Sequence, residues 1–218
     1  CPQSSYDDTL STYSRDTGRF GRVLDYYPQV DSTNDLALEA GRLGAPEGFV
    51  VVADEQTKGR GRLQRRWAAP PRSSLLVSIL FRPPDSLSFY AARTTMVCGL
   101  ALLAAVRAET DVAVRLKWPN DLIVERPGGW QKLAGMLSEF GVDGGEPSCL
   151  VVGIGLNVNV PVDVLPHLAR NATSLLALRG RPLDRGPLLD RLLTGIESRY
   201  DALLAGQDPL PAWRTALA

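Results

Sequence analysis

Between residues 112 and 160 the chain carries four apolar runs with almost nothing between them. The runs 112–117, 121–124, 132–140 and 150–158 are joined by Trp118-Pro119-Asn120, by a segment turning at Pro127-Gly128-Gly129, and by a short polar stretch. Parallel neighbours need a crossover of about a dozen residues or more, and these links are too short for one. Strands that pair in this order therefore pair antiparallel. Valine-rich 49–53 and apolar 75–81 add two more strands. Residues 86–109 read as one long helix with Ala, Leu and Met on its apolar positions, and 162–205 as two or three helices. The predicted class is α+β, a largely antiparallel or mixed sheet covered by helices, without the strand–helix alternation of a Rossmann fold.

Asp31-Ser32-Thr33-Asn34-Asp35 precedes a stretch of Leu and Ala. Ser32 with an acid three residues on reads as a helix start close to a capping box. That helix is expected to run to about residue 43, where Gly44 and Pro46 end it. Residues 1–20 are polar with no apolar period, and a flexible N-terminal arm is expected there. In Lys132–Phe140, Leu133 and Met136 cannot face one way in a regular strand, so a bulge or kink is expected, with Gly135 its marker.

Charge is balanced, 24 basic against 24 acidic residues, which argues against a globally basic nucleic-acid binder. The cations are not evenly spread. Residues 58–66, Lys-Gly-Arg-Gly-Arg-Leu-Gln-Arg-Arg, hold five of them in nine positions. Gly59 and Gly61 ease close backbone approach and positive φ, while Arg60, Arg62 and Arg65 offer forked donors to an anion. Such a loop is expected to repel itself when empty and to order around a phosphate or carboxylate. The chain has only three lysines, Lys58, Lys117 and Lys132, each in a segment that stands out on other grounds. Gly153-Ile154-Gly155-Leu156-Asn157-Val158 fails the dinucleotide fingerprint because Val158 stands at the third glycine and no helix follows. A strand with Gly155 in it still suits a flat ligand lying on the backbone. Three cysteines without a C-x-x-C spacing give neither a disulfide framework nor a zinc site, and Cys98 and Cys149 read as small buried hydrophobes. No apolar stretch of about 18 residues and no signal-peptide pattern stand out, so a cytoplasmic protein is expected.

Asp31-Ser32-Thr33-Asn34, Gln56, Gly59-Arg60-Gly61-Arg62 to Trp67, Lys117-Trp118-Pro119-Asn120-Asp121, Lys132-Leu133-Ala134-Gly135 and Gly153-Ile154-Gly155-Leu156-Asn157 occur in this order over some 130 residues. The set closely resembles the biotin protein ligases, of the monofunctional type without an N-terminal DNA-binding domain. The resemblance implies a fold like the catalytic domains of class II aminoacyl-tRNA synthetases, spanning residues 21–218. It implies that biotin and Mg²⁺-ATP give biotinyl-5′-adenylate, which acylates a lysine of a biotin carboxyl carrier domain. It places Ser32, Thr33, Asn34, Gln56 and the Gly59–Arg62 segment on biotin. Gly135 and Gly155 would line the bicyclic ring and tail, Trp67 would close over the adenylate, and Asn157 would complete the wall. Lys132, Arg60, Arg62 and Lys117 would supply the charge that lets a carboxylate meet a phosphate, and Asp121 would orient the acceptor lysine or Mg²⁺. No metal ligands are assigned, since Mg²⁺ in such sites is held largely by phosphate and water.

The loop departs from the family pattern where Gln64 stands for a glycine. The small C-terminal SH3-like domain of the family is expected to be missing from this chain. A lipoate–protein ligase-like acyl-adenylating enzyme is the nearest rival, and a non-catalytic biotin-binding protein the next. Nucleic-acid and membrane partners are not expected. The family allows a homodimer, with no interface legible here.

Overall fold

The computed structural model describes residues 8–84 and 87–218, the side chains of Gln64 and Ser88 excepted. Seven strands run in chain order as β1 (Leu24–Tyr27), β2 (Val50–Ala53), β3 (Ser74–Phe81), β4 (Arg115–Lys117), β5 (Asp121–Arg126), β6 (Gly129–Asp143) and β7 (Glu146–Asn157). They form one sheet ordered β1-β2-β3-β7-β6-β5-β4. The successive pairs β4–β5, β5–β6 and β6–β7 are antiparallel, as the short links require. β1 was not legible: Leu-Asp-Tyr-Tyr has no apolar alternation. It pairs parallel with β2, and the crossover between them is α1 (Thr33–Arg42). Ser32 caps that helix, its hydroxyl accepting from the Asp35 N–H at 3.4 Å, and Gly44 follows it at φ +91°.

The pleat divides the sheet into two unlike faces. Leu150, Val152, Ile154 and Leu156 of β7 lie opposite Phe81, Ile79, Val77 and Leu75 of β3. All eight enter the main core, under α2 (Leu87–Glu109), α5 (Arg185–Leu204) and α6 (Leu210–Ala216). On the other face Val51, Leu80, Cys149 and Val151 pack on Ala37 of α1. Ten-residue α1 covers only part of that face. The part beyond it, over β5, β6 and β7, stays open and becomes the floor of a cleft. Two short helices, α3 (Leu165–Leu168) and α4 (Leu175–Arg179), edge it.

Three features differ from the sequence reading or add to it. Phe89–Glu109 is long and apolar enough by composition to cross a membrane, with mean hydropathy 1.6 over its best window. Its Val97, Cys98, Ala101, Leu102 and Val106 are fully buried against the sheet and α5, which makes it a core helix of this fold. Second, residues 8–20 are not a loose arm; residues 1–7 lie outside the described residues. Leu10 and Phe20 are buried, and the Phe20 ring packs tilted against Phe81 and edge-on against Tyr200, with centroids 5.2 and 5.7 Å apart. Third, a final helix, α6, buries Trp213 in the core. Cys98 and Cys149 are buried and unpaired, and burial pushes the Cys98 thiol well above its ordinary range.

Candidate functional site

The sheet register sets one row of residues side by side: Lys117 opposite Asp121, Asp121 opposite Gly135, Gly135 opposite Gly155. The Trp118-Pro119-Asn120 link returns the chain tightly, with a cis bond at Pro119. Asn120 pins it to β6, its side-chain amide donating to the Met136 carbonyl and its own carbonyl accepting from the Met136 N–H at 2.9 Å.

Lys132 reaches this row through a bulge, which lies at Leu133 rather than at Gly135. Leu122 pairs with Ala134, but Ile123 pairs with Lys132, so Leu133 is the extra residue. Without the slip Ile123 would face Leu133, and Lys132 would point into the core. With it, Leu133, Ala134 and Met136 are all buried in the core. The Lys132 ammonium turns instead to the cleft face, 2.7 Å from the Asp121 carboxylate. Gly135 matters for space: a Cβ there would meet Lys132 Nζ at 3.0 Å. The Lys132 backbone is also held by the 171–173 segment, donating to the Asn171 carbonyl at 2.7 Å and accepting from the Thr173 N–H at 2.9 Å.

The glycines of β7 serve two side chains. A Cβ on Gly155 would lie 2.4 Å from the Trp67 indole, so the flat group resting on this backbone is the chain's own tryptophan. The Trp67 ring sits on the floor, with Lys132 Nζ 5.6 Å from its centroid and its N–H buried without a partner. A Cβ on Gly153 would lie 2.1 Å from Asn34 Oδ1. Replacing Gly153 with alanine must therefore expel the Asn34 amide. For the biotin that the family resemblance implies, we expect at least tenfold weaker binding by calorimetric titration, in a protein whose melting temperature still shows a cooperative fold.

The α1 end is a network of donors and acceptors. Gln56 Oε1 accepts from the Thr33 N–H at 2.8 Å and lies 3.0 Å from the Thr33 hydroxyl. Ser78 Oγ lies 2.7 Å from Thr33 Oγ1 and 2.5 Å from Asn34 Oδ1. Ser32, Thr33 and Asn34 are all buried. At the far end Asn157 is buried and ties the floor to the Thr173 carbonyl at 3.0 Å.

The charged loop differs from its expectation. Lys58 pairs with Asp31 at 2.8 Å. Arg60 makes a two-point contact with Asp35, at 2.7 and 2.6 Å, and reaches Glu139 at 3.1 Å. These carboxylates raise the Arg60 pKa further, relieve the self-repulsion and anchor the stem of the loop. Gly59 closes that stem: its carbonyl takes the Trp67 N–H at 2.9 Å, and a Cβ on it would lie 2.5 Å from the Trp67 carbonyl. Gly61 accepts no such squeeze, and neither glycine has positive φ; the left-handed position is Leu63, at φ 56°. That conformation costs a non-glycine residue about 1–2 kcal/mol. Arg62 and Arg65 at the tip make no ion pair among the described residues, and Leu63 is exposed.

Ser32, Thr33, Asn34, Gln56, Arg60, Gly61, Arg62, Trp67, Lys117, Asp121, Lys132, Gly135, Gly155 and Asn157 thus line one cleft of about 620 Å³, with Gly59 just behind it. The sequence had not offered Ser78, a polar break in an apolar strand that was there to be seen, nor Glu139. Trp118, quoted within the Lys117–Asp121 motif but given no role, is 70% exposed at the rim, and Trp130, which lies under the Lys117 ammonium at 4.5 Å, was missed.

Residues 26–157 match the profile of the biotin/lipoate A/B protein ligase family. The chain is 36% identical to the biotin–[acetyl-CoA-carboxylase] ligase of Paracoccus denitrificans, covering 81% of this chain and 72% of that one. It is 32% identical to the bifunctional ligase/repressor BirA of Bacillus spizizenii over 87% of this chain and 58% of the relative. The chain thus spans little more than half the length of that relative. Among solved structures, the biotin protein ligase of Aquifex aeolicus in complex with biotin and ATP superimposes with a TM-score of 0.65 at 31% identity, over 81% of this chain and 69% of that one. The mixed sheet, the motif order and these likenesses agree: the chain belongs to the biotin/lipoate A/B protein ligase family, among its biotin protein ligases.

Proposed function

We propose that this cleft joins biotin to AMP and passes the biotinyl group to a lysine of a biotin carboxyl carrier domain. In the first step a biotin carboxylate oxygen attacks the α-phosphorus of ATP and pyrophosphate leaves. In the second the acceptor amine attacks the acyl carbon, an amide forms, and AMP and a proton are released. The observation that carries this reading is the meeting of two unlike surfaces in one cleft. The buried side chains of Thr33, Ser78 and Asn34 and the half-buried amide of Gln56 lie at one end, and the Lys132–Asp121 pair lies at the other. The first suits a ureido ring, which offers both N–H donors and a carbonyl acceptor. The second suits a carboxylate and a phosphate that must be brought together.

In this reading Lys132 neutralises the two anions as they meet, with Lys117 and the tip arginine Arg62 adding positive charge. Arg60 is committed to Asp35 and Glu139 and holds the loop. Asp121 sets the direction of the Lys132 ammonium and would orient the acceptor lysine. Trp67 packs beside the acyl chain on Gly155, and Gly135 and Asn157 complete the wall. Mg²⁺ would arrive on the triphosphate with phosphate and water oxygens as ligands. The cleft offers it no group of three carboxylate, thiol or imidazole side chains among the described residues. A cytoplasmic setting fits the two unpaired buried thiols.

The family profile also covers lipoate ligases, and the dense polar network at the α1 end favours biotin over an apolar dithiolane. The test is ATP–pyrophosphate exchange with each acid. Biotin is expected to support exchange and lipoate to leave it at background. Exchange with lipoate alone, or with neither acid, overturns the reading.

A further inference from the structure

Lys117 owes its place to the shortest strand of the sheet. β4 has three residues and lies at the sheet edge, where so short a strand is poorly held by pairing on one side alone. Its inner side pairs with β5 from Arg115 to Lys117. Its outer side is taken by the segment that follows α6. Leu217 bridges Leu116 in parallel, and the Ala218 N–H donates to the Leu116 carbonyl at 2.8 Å. Arg115 adds a side-chain tie. Its guanidinium donates twice to the Leu217 carbonyl, from Nε at 3.0 Å and from Nη2. Arg115 makes no ion pair among the described residues, so this carbonyl is what its charged fork serves.

The same segment reaches the far end of the Lys117–Asp121 turn. Trp213 of α6 is buried, and Gly99 of α2 admits it: a Cβ there would lie 2.5 Å from the indole and 3.1 Å from the Met136 methyl. Met136 is the residue whose backbone N–H and carbonyl are both held by Asn120. The turn is thus gripped at Leu116 from the sheet edge and at Asn120 through Met136. On the cleft side the Lys117 ammonium lies 4.5 Å from the centroid of the Trp130 ring. Trp130 belongs to β6, two strands away, so this contact depends on where β4 stands against β6. A cation acts on developing charge through distance, and a strand that shifts at the edge carries its cation off target.

We propose that Arg115 is a positioning residue for Lys117: by tying the Leu217 carbonyl to β4 it fixes the edge strand, and with it the Lys117 ammonium beside the cleft. This rests on the reading that Lys117 adds charge to the adenylation step, and deepens it. Arg115 does not line the cleft itself.

Biotin-dependent ATP–pyrophosphate exchange is measured for the wild type, Arg115→Met, Lys117→Ala and the double variant, with biotin binding by calorimetry and melting temperatures alongside. Methionine keeps an apolar stem and removes the donors. Lys117→Ala is expected to lower kcat about tenfold and Arg115→Met about fivefold, both with a biotin dissociation constant within about twofold of wild type. A general loss of folded protein lowers the rate whatever stands at position 117, whereas a loss that acts through Lys117 disappears once that lysine is gone. In the double variant Arg115→Met should therefore add less than about twofold. Arg115→Met at the wild-type kcat overturns the proposal, as do losses that multiply in full. If Arg115→Met does not fold, Arg115→Lys, which keeps the charge but not the fork, takes its place under the same two criteria. Exchange by Lys117→Ala at the wild-type rate overturns this inference and the role of Lys117, and leaves the ligase reading standing. A wild type without biotin-dependent exchange overturns both.

Discussion

Replacing Lys132 with alanine is expected to lower biotin-dependent ATP–pyrophosphate exchange by about 10²–10³-fold, the usual cost of deleting a preorganised electrostatic group from a reaction that develops charge. The reason is geometric. The Lys132 side chain is 28% exposed, and its ammonium is aimed by the Leu133 bulge and held 2.7 Å from Asp121. A cation placed in this way does not reorganise when the carboxylate approaches the α-phosphate. Binding of biotin itself should change little, since the α1 end of the cleft makes its polar contacts elsewhere. The loss should therefore appear in kcat rather than in the biotin dissociation constant. Arginine is not expected to restore the rate, because its planar fork cannot reproduce a compact ammonium above Gly135, where Lys132 Nζ lies 3.0 Å from the position of a Cβ. Exchange within threefold of wild type in Lys132→Ala would remove Lys132 from the chemistry.

The second large effect concerns stability. Arg185 at the start of α5 is 1% exposed and is the hub of a buried cluster. It pairs with Asp8, with Asp54 at 2.7 Å, and with the Ser74 carbonyl at 2.8 Å; Asp54 in turn accepts from the Tyr26 hydroxyl at 2.5 Å. The Asp8 and Asp54 side chains are 4% and 8% exposed. Arg185→Ala would leave both carboxylates buried and unpaired, at a cost of about 3–5 kcal/mol. For a domain of this size that lowers the melting temperature by roughly 6–20 °C. Thermal unfolding checks it, and a shift under about 2 °C would show that the cluster contributes nothing. Tyr26 gives the same cluster an alkaline limit. Burial and Asp54 push its phenol up to about 12 from 10. A raised folded pKa means a contribution that is complete below pH 10 and is lost as pH climbs from 10 through 12.

The parts of this protein legible in the sequence are those fixed by neighbours along the chain. Links of three to nine residues between the apolar runs force antiparallel pairing of strands that neighbour in chain order, whatever lies elsewhere. The Ser32 cap and the Gly44 stop are likewise local, and α1 begins and ends where they place it. The cation-rich loop and the Lys117–Asp121 turn stand out by composition, and the order of the motifs identifies the family.

What the sequence could not decide was which way side chains face and which distant charges meet. The Leu133 bulge depends on how β5 registers against β6, and one residue of slip moves Lys132 from core to cleft. The loop stem looked self-repelling because Asp35 and Glu139, which neutralise Arg60, come from α1 and β6. The N-terminal segment looked like an arm because its partner, Arg185, lies 177 positions away. Gly155 read as a seat for a flat ligand, and the fold places Trp67 on it. Local sequence determined the strands, the helix ends and the residue types at the site. The tertiary structure alone decided their directions and pairings, because register and long-range ion pairs exist only once the sheet has closed over its core.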